Sequence, residues 1–141
     1  MRKTVAVDAS FLRAMLDRHA RPEPVAALIR TLSAENARVV IPTPALAEVL
    51  TQAAEAAETW MQQINRYSCF QVRPFDDKAS IELTRTLGET AYGIRDVLRF
   101  DRQIVAIAKV SGASVLYADD EKVVEFAAEC GIPTKRLKDL G

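Results

Sequence analysis

Short β-branched apolar runs alternate with stretches of helical period along the whole chain, and this constrains the fold more than anything else in it. "TVAV", "ARVVIP", "CFQVRPF" and "SVLYA" read as strands. The expected strands run over Thr4–Val7, Arg38–Ile41 and Cys69–Arg73, with a short one in "SVLYA" and a last edge strand in "IPTKRL". Helices are expected over about Ser10–His19 and Pro24–Glu35, with Pro22 and Pro24 separating them. A long helical stretch follows from Thr43, a plausible N-cap ahead of Pro44, with a break near Ala57. Asp76–Leu87 is helical, Gly88 and Gly93 bracket a loop, "LRFDRQIVAIAKVSG" is a strong helix, and Gly131 closes "DEKVVEFAAECG". Strands that alternate with helices imply an α/β fold with a parallel sheet and right-handed crossovers. Ligands of such sheets bind beyond the carboxyl ends of the strands, so the residues just after each strand deserve the closest look.

The chain has 141 residues, suited to a single domain spanning 1–141 with one core. Nineteen basic and nineteen acidic residues cancel, which argues against a protein that coats nucleic acid by charge alone but leaves room for a local basic patch. No apolar run reaches the length of a membrane span, and the start of the chain lacks the pattern of an export signal, so a cytoplasmic location without membrane contact is expected. Cys69 and Cys130 form no CxxC pair, which disfavours a disulfide framework or a zinc site. His19 is the sole histidine and is expected at an exposed helix end.

The carboxylates fall where the rule directs. Asp8 follows the first strand directly, Glu48 sits about one turn into the helix after the second, and Asp119 and Asp120 follow "SVLYA". Asp101 shares a helical face with Ile104, Val105 and Ala108, so it begins an apolar, inward-turned stripe. A lone charge there is costly unless paired or bound to a cation. Each acid also has an ordinary reading: Asp8, Asp119 and Asp120 as helix caps, Glu48 as an exposed helix residue. Taken together, acids gathered at one sheet edge without matching histidines would repel one another. Hard divalent cations, Mg²⁺ or Mn²⁺, relieve that repulsion. Magnesium keeps waters and commonly completes its shell with substrate phosphate, so an all-carboxylate site points to phosphoryl chemistry.

Four stretches carry a resemblance to the PIN domain family, the fold of many VapC-like toxin nucleases and their orphan relatives. They are "VAVDASFL", "IPTPALAEVL", "RFDRQIVAIAKV" and "SVLYADDEKV". The resemblance covers essentially the whole chain. It implies a three-layer α/β/α fold with a central parallel sheet of four or five strands. It gives Asp8, Glu48, Asp101 and Asp120 the roles of catalytic metal ligands, with Asp119 the intervening residue of the last motif and a further candidate ligand. It further implies Mg²⁺- or Mn²⁺-dependent cleavage of single-stranded or structured RNA by water, leaving a 5′-phosphate. Frequent homodimers and often a small antitoxin that fills the cleft come with it. The chain departs from the pattern at one position: the family's Ser or Thr two residues before the last acid is Ala118 here.

Arg95, Arg99 and Arg102, around Asp101, are the candidates for holding an RNA backbone, against a reading as solvated or ion-paired charges. Tyr92 is a weaker candidate for stacking a base, Trp60 reads as core or dimer surface, and Lys135, Arg136 and Lys138 read as a solvated basic tail. Ala118 favours a second reading, a catalytically weak or inactive PIN scaffold that binds RNA or a protein partner. A phosphoacceptor receiver would want a second acid beside Asp8 and a Lys after the last strand. A dehalogenase-type phosphatase would want DxD where Asp8-Ala9-Ser10 stands, and Ser10 as a nucleophile has no histidine base nearby.

Overall fold

The computed structural model describes residues 2–87 and 99–140, without the side chains of 86 and 87. Tyr92, Arg95 and the loop expected at Gly88 to Gly93 lie outside the described residues. In chain order the elements are β1 (Thr4–Val7), α1 (Ala9–Leu16), α2 (Glu23–Ala34), β2 (Arg38–Pro42), α3 (Thr43–Gln52), α4 (Ala57–Arg66), β3 (Phe70–Arg73), α5 (Asp77–Leu87), α6 (Phe100–Val110), β4 (Leu116–Tyr117), α7 (Glu121–Glu129) and β5 (Thr134–Lys135). Single 3₁₀ turns occupy Ala54–Ala56 and Leu137–Asp139.

The described strands form one five-stranded sheet of order β3-β2-β1-β4-β5. Every pairing is parallel, with Ala6 opposite Val40 on one side and Leu116 on the other. Central parallel strands are covered on both faces, which explains why Val5, Ala6, Val7, Val39, Val40 and Ile41 are all buried rather than alternating. The order runs outward from β1 through β2 to β3, then reverses to β4 and β5 on the other side of β1. That reversal opens a crevice at the carboxyl ends of β1 and β4.

The helices follow the expected pattern with informative differences. α1 stops at Leu16, not His19, because the Asp17 carboxylate accepts hydrogen bonds from the His19 and Ala20 N–H groups and turns the chain. The long helical stretch after β2 is broken at Ala53–Ala56, where Ala53 leaves helical geometry. The re-aimed α4 then buries Trp60 and Ile64. Pro42, not Thr43, precedes the first turn of α3. α6 packs against α3, α5 and α7, so burial extends almost around it, from Ile104 to Ala108 and including Arg102.

Three helices end in the same turn. The N–H of the positive-φ residue two positions past the end of α2, α6 or α7 donates to the carbonyl of the second-last helical residue, and the next N–H reaches one residue further back. Gly112 (φ 76°) and Gly131 (φ 77°) supply this conformation without a Cβ penalty. Each turn feeds directly toward a strand.

Candidate active site

Asp8 is fully buried, with no exposed surface, and it is both a helix cap and a clamp. Its Oδ1 accepts from the Phe11 N–H at 3.0 Å, capping α1, and from the Ser10 hydroxyl at 2.7 Å. Its Oδ2 accepts from the Asp119 and Asp120 N–H groups at 3.1 and 3.2 Å. The Asp8 N–H donates to the Tyr117 carbonyl at 3.0 Å, so one residue ties the end of β1 to the end of β4. Burial raises the Asp8 carboxyl above the ordinary aspartate value, and the hydrogen bonds from Phe11, Ser10, Asp120 and Asp119 offset only part of that.

Asp120 caps α7, its Oδ1 accepting from the Lys122 and Val123 N–H groups at 2.9 and 3.3 Å. Glu48 lies on the more open rim, on α3. Its carboxyl is also raised, first by partial burial and then by the negative charge of Asp120; Arg13 acts in the opposite direction, and Asp8 adds to the rise. Asp101, in the first turn of α6, pairs with the Arg99 Nε at 3.4 Å. Asp8, Glu48, Asp101 and Asp120 line one cavity of about 530 Å³, between α1, α3, α6 and α7 at the carboxyl edge of the sheet.

The remaining candidates divide. Arg99 lines the cavity. Arg102 turns inward: it is only 9% exposed, and its guanidinium lies 5.3 Å from the centre of the Phe126 ring. It does not line the carboxylate cavity but a smaller neighbouring one, with Arg99, Asp101 and Lys122. The Asp119 carboxylate leaves the cavity too, accepting from the Leu137 N–H at 3.3 Å; only its backbone N–H faces Asp8. In the C-terminal basic cluster Lys135 and Lys138 are exposed, whereas Arg136 is anchored. Arg136 donates to Glu121 at 2.7 Å, and its N–H to Asp139, tying this segment to the start of α7. Ala118 is fully buried, and the hydroxyl at this turn comes instead from Ser10, whose Oγ accepts weakly from the Asp119 N–H at 3.3 Å.

The cavity also holds residues that the sequence did not single out: Arg13, Gln52, Phe100 and Lys122. Helical spacing could have found two of them, since Arg13 lies one turn after Ser10 and Gln52 one turn after Glu48. The donor chemistry fits a hard divalent cation, because the acids are all carboxylates and two of them are pushed toward protonation by burial and mutual charge. Among the described residues, no three Asp, Glu, His or Cys side chains are grouped closely enough to enclose one ion.

Fold and cavity define an α/β protein with an all-carboxylate cleft at a topological switch point. The chain belongs to the PIN domain family, whose model matches residues 5–129. PIN domains are generally nucleases and typically use divalent metals. The fold is similar to a chain of VapBC2 from Rickettsia felis bound to a DNA fragment from their promoter (TM-score 0.68, 14% identity, 94% of this chain and 98% of that one). It is also similar to DNA-bound VapBC from Salmonella typhimurium (TM-score 0.66, 20% identity, 96% and 98%) and to FitAB bound to the IR36 DNA fragment (TM-score 0.67, 16% identity, 94% of each). No curated protein matches the chain significantly.

Proposed function

We propose that this chain, acting as a single domain over 1–141, is a Mg²⁺- or Mn²⁺-dependent endoribonuclease. The observation that carries the reading is the shared cavity of Asp8, Glu48, Asp101 and Asp120, acids separated by up to 112 residues in sequence. Asp8, Glu48, Asp101 and Asp120 would hold the cation, which, when bound, supplies positive charge to the reacting phosphate and acidifies water. Asp119 is left out of that set because its carboxylate is engaged with Leu137. In the reaction a water oxygen attacks phosphorus, the bond from phosphorus to the 3′ oxygen breaks, and that oxygen takes up a proton. The products are a 5′-phosphate and a 3′-hydroxyl. In net balance the attacking water gives up one proton to solvent and the leaving 3′ oxygen gains one. Arg99 and Lys122 offer positive charge for the RNA backbone beside Asp101 and Asp120.

The experiment is Mn²⁺-dependent hydrolysis of a labelled RNA by wild type, Asp101→Asn and Glu48→Gln. Loss of cleavage in both folded variants is expected; cleavage at the wild-type rate in both ends the proposal. Asp8→Asn is a poor probe, because that side chain also accepts four hydrogen bonds within the fold.

A second reading, a weak or inactive scaffold binding RNA or a protein, is favoured by Ala118. Mn²⁺ titration by calorimetry separates the two: a scaffold need not bind the ion, and a nuclease must. The VapBC names of its structural relatives support reading this chain as the toxin of a type II pair with a small antitoxin as partner; that the working form is a cytoplasmic homodimer is part of the proposal. Among the described residues no helix is long and apolar enough to cross a membrane. Growth arrest on expression, relieved by the product of an adjacent small reading frame, tests the pairing.

A further inference from the structure

Phe100 is 59% exposed, the most exposed large apolar side chain among the described residues. It does not sit on a remote surface. It begins α6, lies between Arg99 and Asp101 in sequence, and lines the carboxylate cavity. The rest of that helix behaves oppositely, since Ile104, Val105 and Ile107 are all buried. An aromatic ring left in water beside a charged cleft has a π-face available to a flat partner. Arg99, which pairs with Asp101, and Lys122 line the same cavity. An exposed ring in a cavity that also holds cationic side chains and carboxylates suited to phosphate chemistry matches the two needs of an unpaired nucleotide: stacking for the base and neutralisation for the phosphate.

We propose that Phe100 is a specificity-determining residue that selects unpaired strands by stacking a base beside the scissile phosphate. The proposal rests on the nuclease reading above and names the feature of the substrate read at that site. In a duplex both faces of each base are already covered by neighbours, so the ring has nothing to stack on. Stacking is indifferent to base identity, because every base has a π-face. Phe100 therefore sorts unpaired from paired substrate rather than one sequence from another.

The test is the affinity of a short mixed-sequence single-stranded RNA, measured with Mg²⁺ in a Glu48→Gln background so that the strand survives. Phe100→Ala is expected to weaken binding roughly tenfold, the loss typical of one stacked base. Phe100→Trp restores it, and Phe100→Leu, which keeps apolar volume without a π-face, does not. The salt dependence stays unchanged in Phe100→Ala and flattens in Lys122→Ala. One abasic nucleotide at the stacked position weakens the wild-type ring's binding to the level of Phe100→Ala, and the two losses do not add. With Phe100 intact and Glu48 restored, the enzyme cleaves the single strand faster than the same sequence as a duplex, and Phe100→Ala narrows that ratio. Equal affinity with and without the ring, in a protein that does cleave RNA, overturns this proposal alone. So does a Phe100→Ala protein that keeps its RNA affinity but loses a protein partner. A wild type that neither binds nor cleaves the strand removes the nuclease reading as well.

Discussion

The two edges of the sheet are built on opposite terms. At the amino edge the helix-to-strand turns at Asn36, Gly112 and Gly131 pair their backbone groups and use residues that tolerate positive φ. At the carboxyl edge Asp8 is buried, two carboxyls are pushed above their ordinary values, and a large aromatic ring stands in water. One edge satisfies local rules, and the other departs from them around a cavity. Such departures, held in place by a well-ordered remainder, mark where a fold keeps its chemistry.

The largest expected effect sharpens that contrast. Asp101→Asn should lower Mn²⁺-dependent RNA cleavage by ~100-fold or more while the urea midpoint hardly moves, since the residue lies at the cavity wall and not in a clamp. Normal turnover would put the chemistry somewhere else.

Asp8→Asn tests whether the carboxyl edge also carries structure. An amide keeps one oxygen and presents N–H groups at the other position, where two of the four donors now point, so urea unfolding should show a loss of roughly 3 kcal/mol, from unsatisfied buried groups. A loss near zero would mean that the clamp between β1 and β4 contributes little.

At the opposite edge, Gly131→Ala meets no atom within 4 Å of an added Cβ and carries only the conformational cost of φ 77°. About 1 kcal/mol of stability should be lost, with cleavage unaffected. A change in RNA cleavage would blur the division between the edges.

The smallest effect has the opposite sign. Glu48 has a folded-state pKa above its ordinary value, so its ionised form is disfavoured in the fold. That cost is present above the folded pKa and disappears as pH falls through it toward the ordinary value of 4.5. In chelator-treated protein, Glu48→Gln should therefore raise stability at pH 7 by ~0.5 kcal/mol or less, the group being well solvated. The advantage should vanish on acidification toward pH 4.5, as followed by thermal melts across pH. Adding Mn²⁺ should stabilise wild type more than the variant. A destabilised Glu48→Gln at pH 7 would show that the acids do not repel.

Much of this was legible in the letters because it is local. The apolar runs marked the strands, the Ala54–Ala56 break fell close to its expected place, and Gly131 ended its helix. Cap and site had looked like rival readings of Asp8, whereas one carboxylate with two oxygens caps α1 with one and holds the β4–α7 turn with the other. Arg102 is buried although it lies off the expected inward face, because helical spacing identifies one such face and α6 has neighbours on several sides. The family resemblance already gave Asp120 the ligand role and Asp119 the intervening position, but spacing alone does not tell the two neighbours apart. Only the backbone path after β4 separates them, sending one carboxylate to Leu137 and leaving the other on the cavity wall.

The sequence by itself determined the alternation of strand and helix, the turn chemistry between them and the presence of an acid after the key strands, since each depends on residues a few positions apart. Tertiary structure alone decided that residues 8, 48, 101 and 120 share a cavity, that Arg102 is withdrawn, and that Phe100 stands exposed beside the acids. Those outcomes depend on the reversal of strand order at β1 and on which helices cover α6. Contacts across more than a hundred residues are set by packing of the whole sheet, which no local periodicity encodes.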